Sequence, residues 1–156
     1  MTERSQREVE LAEEEGRLVF GRFDETTAFE IGCALVARAR AEGAPVVIDI
    51  RTPDRTLFHA ALPGASPSND LWARRKSNTV FHFHRCSLSV GLENARKNRA
   101  FGPEIGIDPR DFADHGGSFP VRVTGAGVVA AITVSGLASA DDHAMITAVL
   151  EAHLAG

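Results

Sequence analysis

The chain has 156 residues, of which 44% are apolar and 24% are charged, and it carries a formal net charge of −4 at pH 7. Length and composition predict one soluble globular domain over residues 1–156, the acidic balance argues against a nucleic-acid partner, and no apolar run reaches the ~18 residues that a membrane helix needs. Residues 1–16 lack the apolar segment of a secretory signal, and Cys33 and Cys86 form no CxxC pair, so we expect a cytoplasmic protein without a disulfide framework.

The first predicted elements are a helix, a strand and a second helix. Ser5 and Glu8 form a capping box, which predicts a short helix that Gly16 can end. Residues 18–20 predict a short strand. Asp24 can cap a second helix, whose apolar residues follow the helical period until a glycine and a proline stop it.

A predicted hairpin and a region with conflicting signals follow. Strands at residues 46–50 and 56–60 flank a turn, and a proline- and serine-rich loop covers residues 63–69. Within residues 70–91, residues 79–83 are rich in strand formers. Six residues nevertheless recur at steps of three or four positions, which is the helical period: Trp72, Lys76, Val80, Phe83, Ser87 and Val90. We therefore predict one long helix over residues 70–91.

The last third is irregular before it closes with a hairpin and a helix. A short helix is predicted at residues 109–113, and two strands at 119–123 and 128–134. Ser139 and Asp142 resemble a capping box for the final helix. The predicted order α-β-α-β-β-α-β-β-α favours an α+β sandwich, with helices on both faces of about five mainly antiparallel strands.

Several short motifs resemble one family by their order and spacing. They are Leu62-Pro63-Gly64, residues 69–77 (NDLWARRKS), residues 115–121 (HGGSFPV), Gly125-x-Gly127, residues 134–137 (VSGL) and Asp141-Asp142-His143. Together they resemble an uncharacterised branch of the haem-degrading domain family, related to GlcG/HbpS-type proteins. The resemblance implies a profilin-like α/β/α sandwich, assembly into a homo-oligomer, and haem or another small ligand. It carries over no catalytic residues.

Two clusters invite a chemical interpretation that the sequence does not favour. His82, His84 and Cys86 would share one face of a strand and could hold a metal, but on a helix only His82 and Cys86 are neighbours, so we predict no metal site. Ser87, His115 and Asp142 are the residue types of a triad, but no nucleophile-elbow sequence surrounds the serine.

The loop His115-Gly116-Gly117 precedes a strand, where its amides could face an anion, or its glycines could simply form a tight turn. Lys76 lies on the stripe that should face the sheet, and a charge there is costly unless it is paired. Its head can reach water, pair with Asp141 or Asp142, or bind an anionic ligand. His143 can face a cleft or the surface.

These residues lead to three functional hypotheses. In the first, a non-catalytic oligomer binds a small ligand near Trp72, Lys76, His115, Gly116, Gly117 and His143. In the second, the protein is an enzyme that degrades haem or a related tetrapyrrole. In the third, it is an oligomeric interaction module. The cofactor is unknown: the residues alone show no haem motif, and only the resemblance suggests haem. The homo-oligomer draws further support from apolar residues on more than one side of the long helix: Phe81, Phe83, Leu88 and Val90.

Overall fold

The computed structural model describes residues 3–156. In chain order its helices and strands are α1 (Gln6–Arg17), α2 (Glu25–Glu42), β1 (Val47–Arg51), β2 (Thr56–Ala61), α3 (Pro67–Phe83), α4 (Ser87–Arg96), β3 (Ser118–Val123), β4 (Gly127–Ser135) and α5 (Ser139–Ala155), with a short 3₁₀ helix at Pro103–Ile105. The structure therefore has the predicted α+β composition.

The sheet has four strands within the described residues, in the order β2-β1-β4-β3, and every neighbouring pair is antiparallel. The prediction of five strands is wrong, because residues 18–20 form only a single parallel bridge, between Phe20 and Val123. The reason lies at the end of α1, where the N–H of Leu18 donates to Glu14 O at 2.9 Å. The Leu18 N–H is therefore used by helix α1 and is not available to a strand. Of residues 18–20, only Phe20 pairs with β3.

The two faces of the sheet differ in chemistry. Ile48 and Ile50 of β1 belong to an apolar core cluster with Ile31 of α2 and Ile146 of α5. Successive side chains of a strand point to opposite faces, so Asp49 lies on the other face, which α3 covers. Helices therefore pack on both sides of the sheet, and the α3 side carries the polar groups.

The predicted long helix over residues 70–91 is wrong in one respect, because it is two helices. α3 starts earlier, at Pro67, and ends at Phe83, after which His84 adopts a left-handed conformation with φ of 58°. Two distant side chains hold the break: Arg122 donates to His84 O at 2.5 Å, and Glu15 accepts from Cys86 N at 3.0 Å. The alternative strand at residues 79–83 does not form.

Two predicted helix signals near the end of the chain are also wrong. Residues 109–113 form a single turn and not a helix, because the N–H of Ala113 donates to Arg75 O of α3 at 3.2 Å and leaves no amide to continue the turn. Ser139 and Asp142 do not form a capping box. The N-cap of α5 is Ala138, and the Asp142 carboxylate is used elsewhere.

Candidate functional site

Lys76 on α3 is buried, with a side-chain exposure of 3%. Its ammonium donates to Gly116 O at 3.1 Å, to Val134 O at 2.8 Å and to Asp142 Oδ2 at 3.2 Å. An ammonium has three N–H donors, so all of them are used within the protein. The sequence left three partners open for Lys76: water, a carboxylate or an anionic ligand. In the structure Lys76 pairs with the carboxylate of Asp142. The ammonium joins α3, the loop before β3, the end of β4 and the first turn of α5.

Asp142 is the other half of this buried pair. Its Oδ1 accepts from Leu137 N at 2.9 Å and its Oδ2 from Gly136 N at 3.3 Å. Burial raises the pKa of Asp142 and lowers the pKa of Lys76, and the attraction between the two charges opposes both shifts. The two groups are thus held as an ion pair in a site that disfavours either charge alone.

The glycines of the predicted loop have a steric role beside this pair. Gly117 has φ of +125°, and a Cβ there would lie 2.5 Å from both Lys76 Nζ and Val134 O. A Cβ at Gly116 would lie 2.7 Å from Ser139 O. Only glycine permits this backbone and this close approach. The chain therefore passes directly over the ion pair.

A cleft of about 180 Å³ opens beside the pair, between the start of α3 and the N-terminus of α5. Trp72, Lys76, His115 and Asp142 contribute to its wall. The rings of Trp72 and His115 meet edge to face with centroids 4.7 Å apart. His115 is exposed, and within the described residues its ring nitrogens have no hydrogen-bond partner.

A larger groove of about 660 Å³ lies next to the cleft and shares Trp72 with it. Leu71, which is 68% exposed, and Arg74 line this groove. Arg75 places its guanidinium 4.4 Å from the centroid of the Trp72 ring and donates to Pro109 O at 2.6 Å, which fixes the indole in place. Trp72 therefore stands between a small polar cleft and a wider groove that is partly apolar and cationic.

His143 does not lie with the other predicted site residues. It is fully buried, its Nε2 is 2.7 Å from Glu14 Oε1 on α1, and its ring centroid is 5.8 Å from that of Phe119. Burial alone raises the pKa of Glu14, but the hydrogen bond and charge of His143 outweigh it, and the pKa is lowered. His143 thus joins α5 to α1, while Trp72, Lys76 and the loop 115–117 are brought together at the cleft.

The clusters that the sequence disfavoured are not assembled. His82 and His84 are exposed, whereas Cys86 is buried beyond the break and burial raises the pKa of its thiol to about 12. No group of three or more His, Cys, Asp or Glu side chains in residues 3–156 could hold a metal ion. Ser87 is buried, and its Oγ accepts from Ser118 N at 3.1 Å.

Sequence reasoning missed one polar cluster on the α3 side of the sheet. The Nδ1 and Nε2 atoms of His59 on β2 are each 3.0 Å from a carboxylate oxygen, of Asp49 and Asp70 respectively. Arg51 holds Asp49 with two bonds of 2.6 and 2.7 Å. The signal was present in the hairpin, whose register places Asp49 opposite His59.

Comparison with known proteins assigns the family. The profile described as "Haem degrading protein HbpS-like" matches residues 23–151. The chain belongs to the HbpS-like family. The UPF0303 protein mlr5144 of Mesorhizobium japonicum is 48% identical over 144 residues, which cover 92% of this chain and 86% of that protein. A UPF0303 protein of Acidobacterium capsulatum is 46% identical over 136 residues, covering 87% and 82% of the two chains.

Solved structures share the fold. The Ybr137w protein matches with a TM-score of 0.86 and 27% identity over 93% of this chain and 86% of that one. A double mutant of HbpS from Streptomyces reticuli gives a TM-score of 0.68 at 23% identity, over 84% and 86% of the chains. A PduOC:Heme complex gives 0.69 at 18% identity, over 86% and 95%. The last two comparisons concern the fold alone. In residues 3–156 no helix is both long and apolar enough to span a membrane.

Proposed function

We propose that this protein binds an anionic tetrapyrrole of the haem class at the two adjoining openings that share Trp72. The observation that carries the proposal is the position of His115. It is an exposed imidazole without a hydrogen-bond partner in the described chain, it lies against Trp72, and Trp72 also lines the wide groove. Membership of the HbpS-like family supports the ligand class.

The donor set at this place fits an iron tetrapyrrole. Haem iron takes His, Cys, Met or Tyr as a protein ligand. The sequence has no tyrosine. Met145 is buried in the core, Cys86 is buried as a thiol, and His59 and His143 are held by carboxylates. His82, His84, His153 and Cys33 line neither of the openings at Trp72, so His115 is the residue there that would hold the iron, which is the group that supplies redox chemistry when bound.

The size and charge of the wider groove suit the tetrapyrrole ring and its propionates. Ligand sites usually enclose about 300–1,000 Å³, and the groove of about 660 Å³ is in this range while the cleft of about 180 Å³ is not. Leu71 and Trp72 offer apolar surface to a planar ring. Arg74 has no ion pair within the described residues, and its guanidinium suits a propionate.

The test is titration of hemin into the purified protein, followed by its Soret band. We expect a shifted band for the wild type and at least a tenfold weaker binding for His115→Ala, with an unchanged melting temperature. The matched control is His84→Asn, which removes another exposed histidine at a left-handed position that asparagine tolerates. Equal binding by His115→Ala and the wild type would overturn the proposal. Adding a reductant to the complex then distinguishes a protein that only binds haem from one that degrades it. Loss of the Soret band favours haem degradation, and a persistent band favours binding alone.

We also propose that the protein is a homo-oligomer. The apolar residues of the predicted long helix do not support this, since Val90 is buried in the chain and the Phe83 ring stacks on Phe101. Support comes instead from Phe29 of α2, a large apolar side chain that lies outside the proposed ligand groove and is 61% exposed. Light scattering of the 16.7 kDa chain tests it, and a monomeric mass at micromolar concentration would refute it.

A further inference from the structure

A second cleft, of about 350 Å³, lies between α1, the link before α4, and β3. It shares no lining residue with the two openings at Trp72. Three arginines from separate parts of the chain line it: Arg4 ahead of α1, Arg85 between α3 and α4, and Arg122 on β3. Ala12 and Gly16 of α1 also border it, so small side chains lie between these cations.

The two carboxylates of this cleft have partners within the protein. Glu8 accepts from Ser5 N at 2.7 Å and from Arg96 Nε at 3.1 Å, and these bonds lower its pKa although burial alone would raise it. Glu15 accepts from Cys86 N at 3.0 Å. Both are buried, with exposures of 5% and 6%. Their charges are thus used in holding α1 against α4.

The arginines, in contrast, keep unused donors. A guanidinium has five N–H groups. Arg85 donates one hydrogen bond to Glu93, and Arg122 donates to His84 O and lies 3.6 Å from Glu15. Arg4 has no ion pair or hydrogen bond within residues 3–156. Three guanidinium groups and two carboxylates line the cleft, and the charge of Arg4, unpaired within residues 3–156, attracts anions to it.

Gly16 is the second, independent observation. Glycine is a poor helix former, and Gly16 lies inside α1 without the positive φ that would require it. A Cβ at this position would meet no atom within 4 Å. Gly16 therefore leaves open space on this side of the cleft, where a larger side chain would fit.

We propose that this cleft binds a small molecule that carries a phosphate group. Guanidinium groups bind phosphate through paired hydrogen bonds. Three of them arriving from different parts of the chain suit the several oxygens of a phosphate better than the two of a carboxylate. The volume of about 350 Å³ is within the range of small-ligand sites.

The experiment is calorimetric titration of the full chain with inorganic pyrophosphate, and with citrate as the carboxylate probe, at constant ionic strength. We expect saturable binding of pyrophosphate and at least tenfold weaker binding of citrate. Arg4→Gln should raise the dissociation constant of pyrophosphate at least tenfold. Gly16→Leu, which fills the cleft without changing any charge, should abolish binding and keep the fold by circular dichroism.

The matched control is Arg38→Gln, an exposed arginine of α2 that pairs with Glu42 at 3.0 Å and should leave pyrophosphate binding unchanged. Absence of saturable binding by the wild type would overturn the proposal, as would tighter binding of citrate or wild-type affinity in Gly16→Leu. The result is independent of hemin binding, because the two sites have no residue in common.

Discussion

Replacement of Lys76 by methionine removes a charge that the protein has enclosed completely. Methionine fills a similar volume, so the change deletes the ammonium and little packing. Three acceptors lose their donor at once: the Gly116 and Val134 carbonyls and the Asp142 carboxylate. The carbonyls are neutral, but the carboxylate then remains charged in a buried site, with only two backbone amides as partners.

The cost follows from that uncompensated charge. Removing one partner of a buried ion pair destabilises a protein by about 3–5 kcal/mol. For a chain of this size, that loss corresponds to a fall in melting temperature of roughly 6–20 °C. The matched control is Lys97→Met, because Lys97 is 37% exposed and Glu93 keeps its ion pair with Arg85 when the lysine is lost. Loss of such a part-exposed pair should cost only about 0–1 kcal/mol.

Urea unfolding followed by circular dichroism measures both variants, and its pH dependence identifies the cause. Burial already raises the pKa of Asp142 above its ordinary 3.8, and loss of Lys76 raises the pKa further. A carboxyl with a raised folded-state pKa binds its proton more tightly in the folded state, so the stability of the variant increases as the pH falls from 7 toward 5. The difference from wild type should therefore narrow in that interval.

A double variant separates the buried charge from lost packing. In Lys76→Met with Asp142→Asn, the amide carries no charge and its oxygen still accepts from Leu137 N, so we expect part of the stability to return. If Lys76→Met costs no more than Lys97→Met, or if the double variant is less stable than the single one, the reasoning is refuted.

Two further predictions concern other charged and glycine positions. Burial alone raises the pKa of Glu93, but hydrogen bonds from Arg85 and Lys97 outweigh it and lower the pKa to about 2. Because solvent screens these charges in part, Glu93→Gln should cost about 1–2 kcal/mol at pH 7, as urea unfolding would report. That contribution is present above the ordinary pKa of 4.5 and is lost toward pH 2, and a difference that does not shrink over this interval contradicts it. Gly117→Ala combines φ of +125° with a contact of 2.5 Å to Val134 O, and should lower the melting temperature by more than Gly125→Ala, whose Cβ meets nothing within 4 Å; equal losses would count against the steric argument.

The sequence predicts the helix ends that neighbouring residues determine, as α2 shows. Asp24 accepts from Thr27 N at 2.9 Å at the start of α2, and Gly43 ends that helix with φ of 64°, both as the sequence indicated. The break after α3 has no such signal. Arg122 and Glu15, far away in the chain, bind the carbonyl of left-handed His84 and the N–H of Cys86 and so support the break. No periodicity within residues 70–91 contains that information.

The candidate site also combines features that neighbouring residues determine with features that depend on residues far apart in the chain. The sequence marks Lys76 as a charge on an apolar stripe, which requires a partner, but the partner lies 66 residues away and depends on how α5 meets β4. The spacing between Ser139 and Asp142 predicts a helix cap. Tertiary structure gives Asp142 a different role: the chain before α5 turns so that the amides of Gly136 and Leu137 reach the carboxylate.

Hydrogen exchange of those two amides can be measured in solution. Gly136 and Leu137 lie between β4 and α5, outside helix and strand, where backbone N–H groups ordinarily exchange quickly with deuterium. Their bonds to Asp142 make exchange depend on opening of the ion pair. The protection of this short link should therefore match that of the neighbouring sheet, and it reports how often α3, β4 and α5 separate at the cleft.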